Sequence, residues 1–96
     1  MTFEECSAEV RAEIEQHLPE FRERLLEQAA PVGMEAFDVT VRSKGSGALT
    51  VAVRPRVGEG GHLPLPATAE FELLPVQEAG RVVYRSTELE FATSAL

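Results

Sequence analysis

Several residue types are rare or missing in this chain, and each shortage excludes a class of structure or cellular location. It contains one cysteine, no tryptophan and no asparagine in 96 residues. A single cysteine cannot close an internal disulfide, so nothing indicates an oxidising compartment. No apolar run approaches the roughly 20 residues of a transmembrane helix, and the N-terminal MTFEECSAEV lacks the basic and apolar regions of a signal peptide. We therefore expect a cytoplasmic protein with no membrane partner.

Basic side chains are also scarce. Nine Lys and Arg residues stand against 16 Asp and Glu residues, which gives a formal net charge of -7. A domain this acidic repels phosphate backbones, so nucleic acid is not an expected partner. The hydrophobic fraction of 44% and the charged fraction of 26% are those of a globular protein. The length fits a single domain spanning residues 1–96.

The first thirty residues carry a helical pattern. Apolar side chains recur at intervals of three and four, which places them on one stripe of a helix. They are Phe3, Cys6, Val10, Ile14, Leu18, Phe21, Leu25 and Ala29. Thr2 and Glu5 have the spacing of a capping box. Pro19 either kinks one helix or begins a second one at its first position. The stripe keeps its phase across Pro19, which favours one kinked helix.

From residue 35 onward the apolar period changes from 3.6 to 2, which predicts strands. Four runs alternate apolar and polar residues: AFDVTVR, ALTVAVRPRV, ATAEFELLPV and RVVYRSTELEF. Pro55 predicts an end, a bulge or a sheet edge in the second run. In the fourth run Val83, Leu89 and Phe91 are predicted to face inward, and Tyr84 outward. Arg85 and Thr87 break the alternation; a register slip of one residue explains this better than a wet cavity does.

Together these segments predict an α+β fold in the order α-β-β-β-β. One long N-terminal helix, kinked near Pro19, packs on a four-stranded antiparallel meander sheet. This layout resembles that of the cystatins, although the three inhibitory segments of that family are missing. Residues 37–92, with LTV after a glycine turn and LPLPATAEF opening a strand, resemble β-rich bacterial lipid-binding domains. That resemblance implies an apolar ligand, and we transfer no functional residue from it.

The stretch GEGGHLPLP, residues 58–66, lies between two predicted strands. It has neither the Gly-Lys-Ser/Thr ending of a P-loop nor the third glycine of a dinucleotide-binding turn, since residue 63 is Leu. No helix follows whose N-terminus could bind an anion. We interpret the stretch as a crossing between strands. The glycines permit positive φ angles, and Pro64 and Pro66 protect a strand edge.

Metal and nucleophile patterns are missing from the sequence. No serine has the G-x-S-x-G context of a hydrolase nucleophile. Cys6, His17 and His62 are too few and too scattered for a metal site. Cys6 is expected to be a small buried residue, and both histidines are expected to be partly exposed. We therefore predict no metal and no cofactor.

Two pairs of carboxylates are the remaining candidates for catalysis. Each pair lies on one strand face, two residues apart: Glu70 with Glu72, and Glu88 with Glu90. Acid–base chemistry would need one of these groups to lie in an apolar pocket. Cross-strand pairing with arginines of the same face is the simpler interpretation. Those arginines are Arg42, Arg54 and Arg56. We therefore expect a protein that is not an enzyme.

A four-stranded sheet with one helix leaves its other face uncovered. That outer face is predicted to have a centre of small, weakly apolar side chains surrounded by Arg and Glu. The central residues are Thr40, Thr50, Ala52, Thr68, Leu74, Val82, Tyr84 and Ser86. Such a face is either solvated or a self-complementary contact between two copies. The candidate interface residues are Thr50, Arg54, Arg56 and Tyr84.

The sequence therefore favours a small non-enzymatic protein that acts by association. Its partner is expected to be a second copy, which gives a homodimer, or another protein bound through the outer sheet face. The alternative is a carrier that holds a small apolar or lipid-like ligand between the helix and the sheet.

Overall fold

The computed structural model describes residues 2–29, 31–63 and 66–93 and confirms an α+β fold with an antiparallel sheet. A single 3-10 turn, Phe3–Glu5, comes first. The helices are α1 (Ala8–Glu15) and α2 (Leu18–Gln28), and the strands are β1 (Val32–Ser43), β2 (Leu49–His62), β3 (Ala67–Glu78), β4 (Arg81–Ser86) and β5 (Glu90–Thr93). None of the helices described is long and apolar enough to cross a membrane.

The helix begins five residues later than the capping box at Thr2 predicts. Ser7 is the N-cap of α1, and its hydroxyl accepts a hydrogen bond from the Val10 amide at 3.3 Å. The Thr2 side chain makes no capping bond to the backbone. Its hydroxyl donates instead to the Glu5 carboxylate at 3.1 Å. The prediction of a capping box was therefore wrong, because a serine directly before the apolar stripe caps the helix in its place.

The helical path continues across Pro19. Gln16 and His17, which join α1 to α2, both keep right-handed helical dihedral angles. The His17 amide donates to the Ile14 carbonyl at 3.0 Å, one residue nearer than in a regular α-helix. Pro19 lies in the first turn of α2, where its missing amide hydrogen is tolerated. The two helices thus form one joined run, as the unbroken apolar stripe predicts.

The sheet is a meander with a divided last segment. Its order is β1-β2-β3-β4. β4 pairs with the second half of β3, and β5 pairs with the first half of β3. The count of four strands is not confirmed, because the fourth predicted run separates into β4 and β5. Thr87 lies at the break. Its hydroxyl accepts from the Glu72 amide at 2.8 Å, and its own amide donates to the Glu72 carbonyl at 2.8 Å.

The faces of β4 are the reverse of those predicted. Leu73 of β3 is buried on the helix side and pairs with Ser86, and Pro75 pairs with Tyr84. Directly paired residues of antiparallel strands point to the same face, so Tyr84 faces the helices. Arg85 pairs with Leu74 on the outer face, is exposed, and forms an ion pair with Glu78. The register slip is therefore the correct explanation of Arg85.

One core fills the layer between the helices and the sheet. Phe21 of α2 lies at its centre and is fully buried; its ring lies 5.3 Å from that of Phe37 and 5.7 Å from that of Phe91. The other fully buried large side chains are Ile14, Leu25, Val41, Val51, Val53 and Leu73. These residues are those that the helical stripe and the inward positions of β1 to β3 predict.

The stretch GEGGHLPLP is not a simple crossing. β2 continues through residues 58–62, and His62 pairs with Val32 across two register shifts. The shifts bring Gly61 so close to β1 that an added Cβ would lie 2.8 Å from the Val32 carbonyl oxygen. Only glycine permits this contact, so these glycines shape a bulged ribbon. Pro64 lies outside the described residues, and Pro66 immediately precedes β3.

Pro55 marks a change of sheet edge. It pairs with Phe37 inside β2, so the strand does not end there. The pairing of β2 with β3 stops at Val53 and Ala69. Beyond that point β2 has no strand partner on its β3 side in the part of the sheet described. The edge location that a strand proline predicts is therefore confirmed for this half of β2.

Candidate functional site

The outer sheet face is the side that the helices leave uncovered. Its residues follow from the strand register, since directly paired residues share a face. Thr40 of β1, Ala52 of β2 and Glu70 of β3 form one row across it, and Glu90 of β5 extends that row. The side chains at the middle of the row are small, so the centre of the face offers a flat surface to a partner.

Basic side chains are concentrated on the β1 and β2 side of this face. In the register of β1 and β2, Arg54 lies opposite Asp38 and Arg56 lies opposite Ala36. Arg42 lies opposite Thr50. All three arginines are exposed. We call Arg42, Arg54 and Arg56 the basic half of the face.

Acidic side chains are concentrated on the β3 and β5 side. Four glutamates line one open concavity of about 320 Å³, together with Thr50, Phe71 and Thr87. We call these glutamates the acidic half of the face; they are Glu70, Glu72, Glu88 and Glu90. The sequence indicates them as two separate pairs. Their convergence was missed, because it depends on the antiparallel pairing of β5 with β3. The repeated E-x-E pattern is the signal in the sequence.

Most charged side chains of the basic and acidic halves form no ion pair with another described residue. Lys44, in the turn before β2, pairs with Glu72 at 2.5 Å. Arg56 pairs with Asp38 at 3.6 Å. The predicted pairs between the basic half and the four glutamates are not formed among the described residues. The two halves are therefore available to a partner.

The exposure of the four glutamates favours contact over catalysis. Three of them are exposed and Glu72 is half-buried. Each carboxylate is in contact with solvent, which screens its charge. It therefore does not lie in the apolar surroundings that the acid–base interpretation requires. The arrangement suits electrostatic attraction of a cationic surface.

The structure separates the four candidate interface residues. Thr50 lies at the centre of the outer face, beside Arg42 and Glu72. Arg54 and Arg56 lie on the same face. Tyr84 does not: it is half-buried on the helix side and packs against the core. Its assignment to the outer face was wrong because residues 82–84 are apolar on both faces, which hides the period of two.

Tyr84 instead borders a second concavity, at the end of the helix–sheet layer. This concavity of about 330 Å³ lies between the start of α1, the turn before β2, and β4. Cys6, Val10 and Leu49 form its apolar part. Glu5, Ser7 and Ser43 provide polar groups at its rim. An apolar ligand of modest size would find room here, whereas large side chains fill the centre of the layer.

Neither the Cys6 thiol nor either imidazole lines the concavity of the acidic half. Burial raises the pKa of the Cys6 thiol, and the sulfur donates to the Thr2 carbonyl at 3.4 Å. His17 is half-buried, and its ring centre lies 4.2 Å from that of Phe71. His62 is exposed at the end of β2. Within the described ranges no three His, Cys, Asp or Glu residues are arranged to hold a metal ion.

Comparison with known proteins adds no relative. No protein-family model matches the chain, and neither the curated proteins nor the solved structures include a significant match.

Proposed function

We propose that this protein is a non-enzymatic association module that binds a second copy of itself through the outer sheet face. The observation that carries the proposal is the division of this face into a basic and an acidic half. Consider a two-fold axis that lies in the interface, parallel to the strands, between β2 and β3. It places β1 and β2 of one copy over β3 and β5 of the other. Each basic half then lies on the β3 and β5 side of the partner. Arg42 is level with the partner's Glu72, and Arg54 lies two residues along the strand direction from Glu70, about 7 Å, within reach of an arginine side chain.

The dimensions of the molecule are sufficient for such a contact. It measures 49 × 23 × 22 Å. One broad side can therefore supply the roughly 800 Å² per partner that a standard interface buries. The small residues Thr40, Thr50 and Ala52 let the two sheets approach, and the charges around them fix the orientation. Exposed ion pairs contribute at most about 1 kcal/mol each, so we expect a dimer that weakens as salt is added.

The first test reverses the basic half. Arg54→Glu with Arg56→Glu reverses two charges of the basic half, which faces the partner's β3 and β5, and we expect at least a roughly tenfold weaker dimer, about 1.4 kcal/mol. Native mass spectrometry and sedimentation measure the dimer fraction over a concentration series. Arg22→Glu with Arg24→Glu on α2 is the matched control, since it makes the same charge change on the helix side and should leave the dimer intact. Equal dimer fractions for the double variant and the wild type would refute the proposal.

A second candidate function is the carriage of a small apolar ligand. The concavity bordered by Cys6, Val10, Leu49 and Tyr84 favours it. The same native mass spectra decide this, because a carrier isolated with its ligand shows a monomer with a reproducible additional mass. Spectra that show only the mass of the chain and its multiples would leave the carrier without support.

The remaining predictions from the sequence are kept as part of this proposal. A cystatin-like layout, with the sheet curved around the helical run, agrees with the joined α1 and α2 on one side of a meander. A cytoplasmic location agrees with a sequence whose one cysteine cannot close an internal disulfide.

A further inference from the structure

The outer edge of β1 is the longest open edge in the described sheet. β1 has twelve residues and stands first in the strand order, so β2 is its only long partner. On the other side a single bridge joins Thr40 to Thr2. An edge of this length is a template on which another strand can form main-chain hydrogen bonds.

We propose that β1 of a second copy binds this edge, antiparallel and centred on Thr40. In that register Thr40 of each copy faces its counterpart, and Asp38 faces the partner's Arg42. The two-fold axis repeats the Asp38–Arg42 contact, so both copies gain it. No other antiparallel register sets these two residues opposite one another. On the inner face Val39 meets Val41, so the apolar sides of the two sheets stay aligned.

The charges that this register uses are accessible. Asp38 has a side-chain exposure of 58%. Arg42 is exposed and forms no ion pair with any described residue. Registers centred on Asp38 or on Arg42 would set like charges opposite each other, which is unfavourable. The side chains of β1 therefore select one register for a second copy.

The N-terminal segment acts as a removable cover of this edge. Thr2 occupies the central position through its bridge to Thr40, and the 3-10 turn that follows buries no residue. The Thr2 carbonyl accepts a hydrogen bond from the Glu5 amide at 3.2 Å, and this local bond does not involve the sheet. Phe3 of this turn packs against the core but is only partly buried. The segment therefore opens at lower cost than the strands do, and its departure exposes the centre of the edge.

Cysteine cross-linking tests the register directly. Thr40→Cys is introduced with Cys6→Ser, so that residue 40 carries the only thiol. Opposed residues of antiparallel strands have Cα atoms about 4.5 to 5.5 Å apart, within the range that a disulfide spans. Ser43→Cys in the same background is the matched control, because Ser43 is an exposed residue of β1 that contributes no charge to the register. Its counterpart in the partner lies roughly 20 Å away along the strand.

We expect mild oxidation to give disulfide-linked dimers of Thr40→Cys at least tenfold faster than of Ser43→Cys. Thr2→Pro, which removes an amide donor from the covering segment, should increase the rate further. Equal rates for the two cysteine variants, with and without Thr2→Pro, would overturn the proposal.

The result is independent of the outer-face dimer. That dimer sets residue 40 near β5 of the partner, away from its counterpart. Adding Glu70→Arg and Glu90→Arg, on β3 and β5, should therefore leave the cross-linking rate unchanged, and a loss of cross-linking in that variant would also count against the edge contact.

Discussion

At the residue scale, Thr87 explains why the last strand divides in two. Its hydroxyl accepts from the Glu72 amide and its amide donates to the Glu72 carbonyl, both at 2.8 Å. The side chain thus satisfies a main-chain donor of β3 that a neighbouring strand would otherwise bind. The chain is then free to turn through residues 87–89 before β5 begins. This turn brings Glu88 and Glu90 to the acidic half.

Removal of the Thr87 hydroxyl should destabilise the fold. Thr87→Val keeps the shape of the side chain but leaves the partly buried Glu72 amide without its acceptor, which costs about 1–2 kcal/mol. Urea unfolding followed by circular dichroism measures the loss. Thr87→Ser retains the oxygen and should remain close to the wild type. If Thr87→Val unfolds at the wild-type midpoint, Thr87 does not have this role.

At the element scale, the start of α1 decides how the N-terminal segment is held. Ser7 satisfies the amide of Val10 in the first turn. Thr2 lies outside the helix and bonds to the Glu5 side chain. The helix therefore depends on Ser7, whereas the segment before it depends mainly on the bridge to β1.

Alanine substitutions should separate these two roles. Ser7→Ala removes the N-cap and should lower the free energy of unfolding by about 1 kcal/mol. Thr2→Ala should cost less, since an exposed side-chain bond is weak. Chemical denaturation of both variants, with Ser7→Asp as the control that keeps a capping oxygen, measures the difference. A larger loss for Thr2→Ala than for Ser7→Ala would contradict the assignment of the cap.

The spacing of apolar residues in the sequence predicts the helices and most strands, but not β4 or the extension of β2. The helical stripe and the inward residues of β1 to β3 are predictable, because each follows a single period over many residues. β4 is not, since Val82, Val83 and Tyr84 are apolar on both faces. The extension of β2 depends on the close approach of Gly61 to Val32, a contact between distant residues that no local pattern encodes.

The candidate site likewise contains residues whose positions the sequence predicts and residues whose positions it does not. Arg54 and Arg56 of the outer face are predictable from the alternation of β2. Tyr84 was placed on the wrong face because its strand has no clear alternation. The gathering of four glutamates around one concavity depends on where β5 pairs, which side-chain bonding at Thr87 decides.

At the scale of the whole molecule, the net charge of -7 is unevenly distributed. Acidic residues dominate the first thirty positions, whereas the outer face contains both signs in separate halves. Like charges on the helices would keep those surfaces of two copies apart, whereas the two signs on the outer face would attract. This distribution is the reason that we propose association through the sheet.

A charge exchange between two variants tests this central claim most directly. Arg54→Glu with Arg56→Glu is one variant, and Glu70→Arg with Glu90→Arg is the other. Native mass spectrometry at low salt compares each variant alone with their equimolar mixture. We predict a lower dimer fraction for each variant of the 10.5 kDa chain alone than for the wild type, and an excess of heterodimer over either homodimer in the mixture. The two reversed sides then carry opposite charges, whereas pairing through the β1 edge would not favour the heterodimer. A mixture that stays monomeric, or variants that dimerise alone as the wild type does, would contradict association through the outer face.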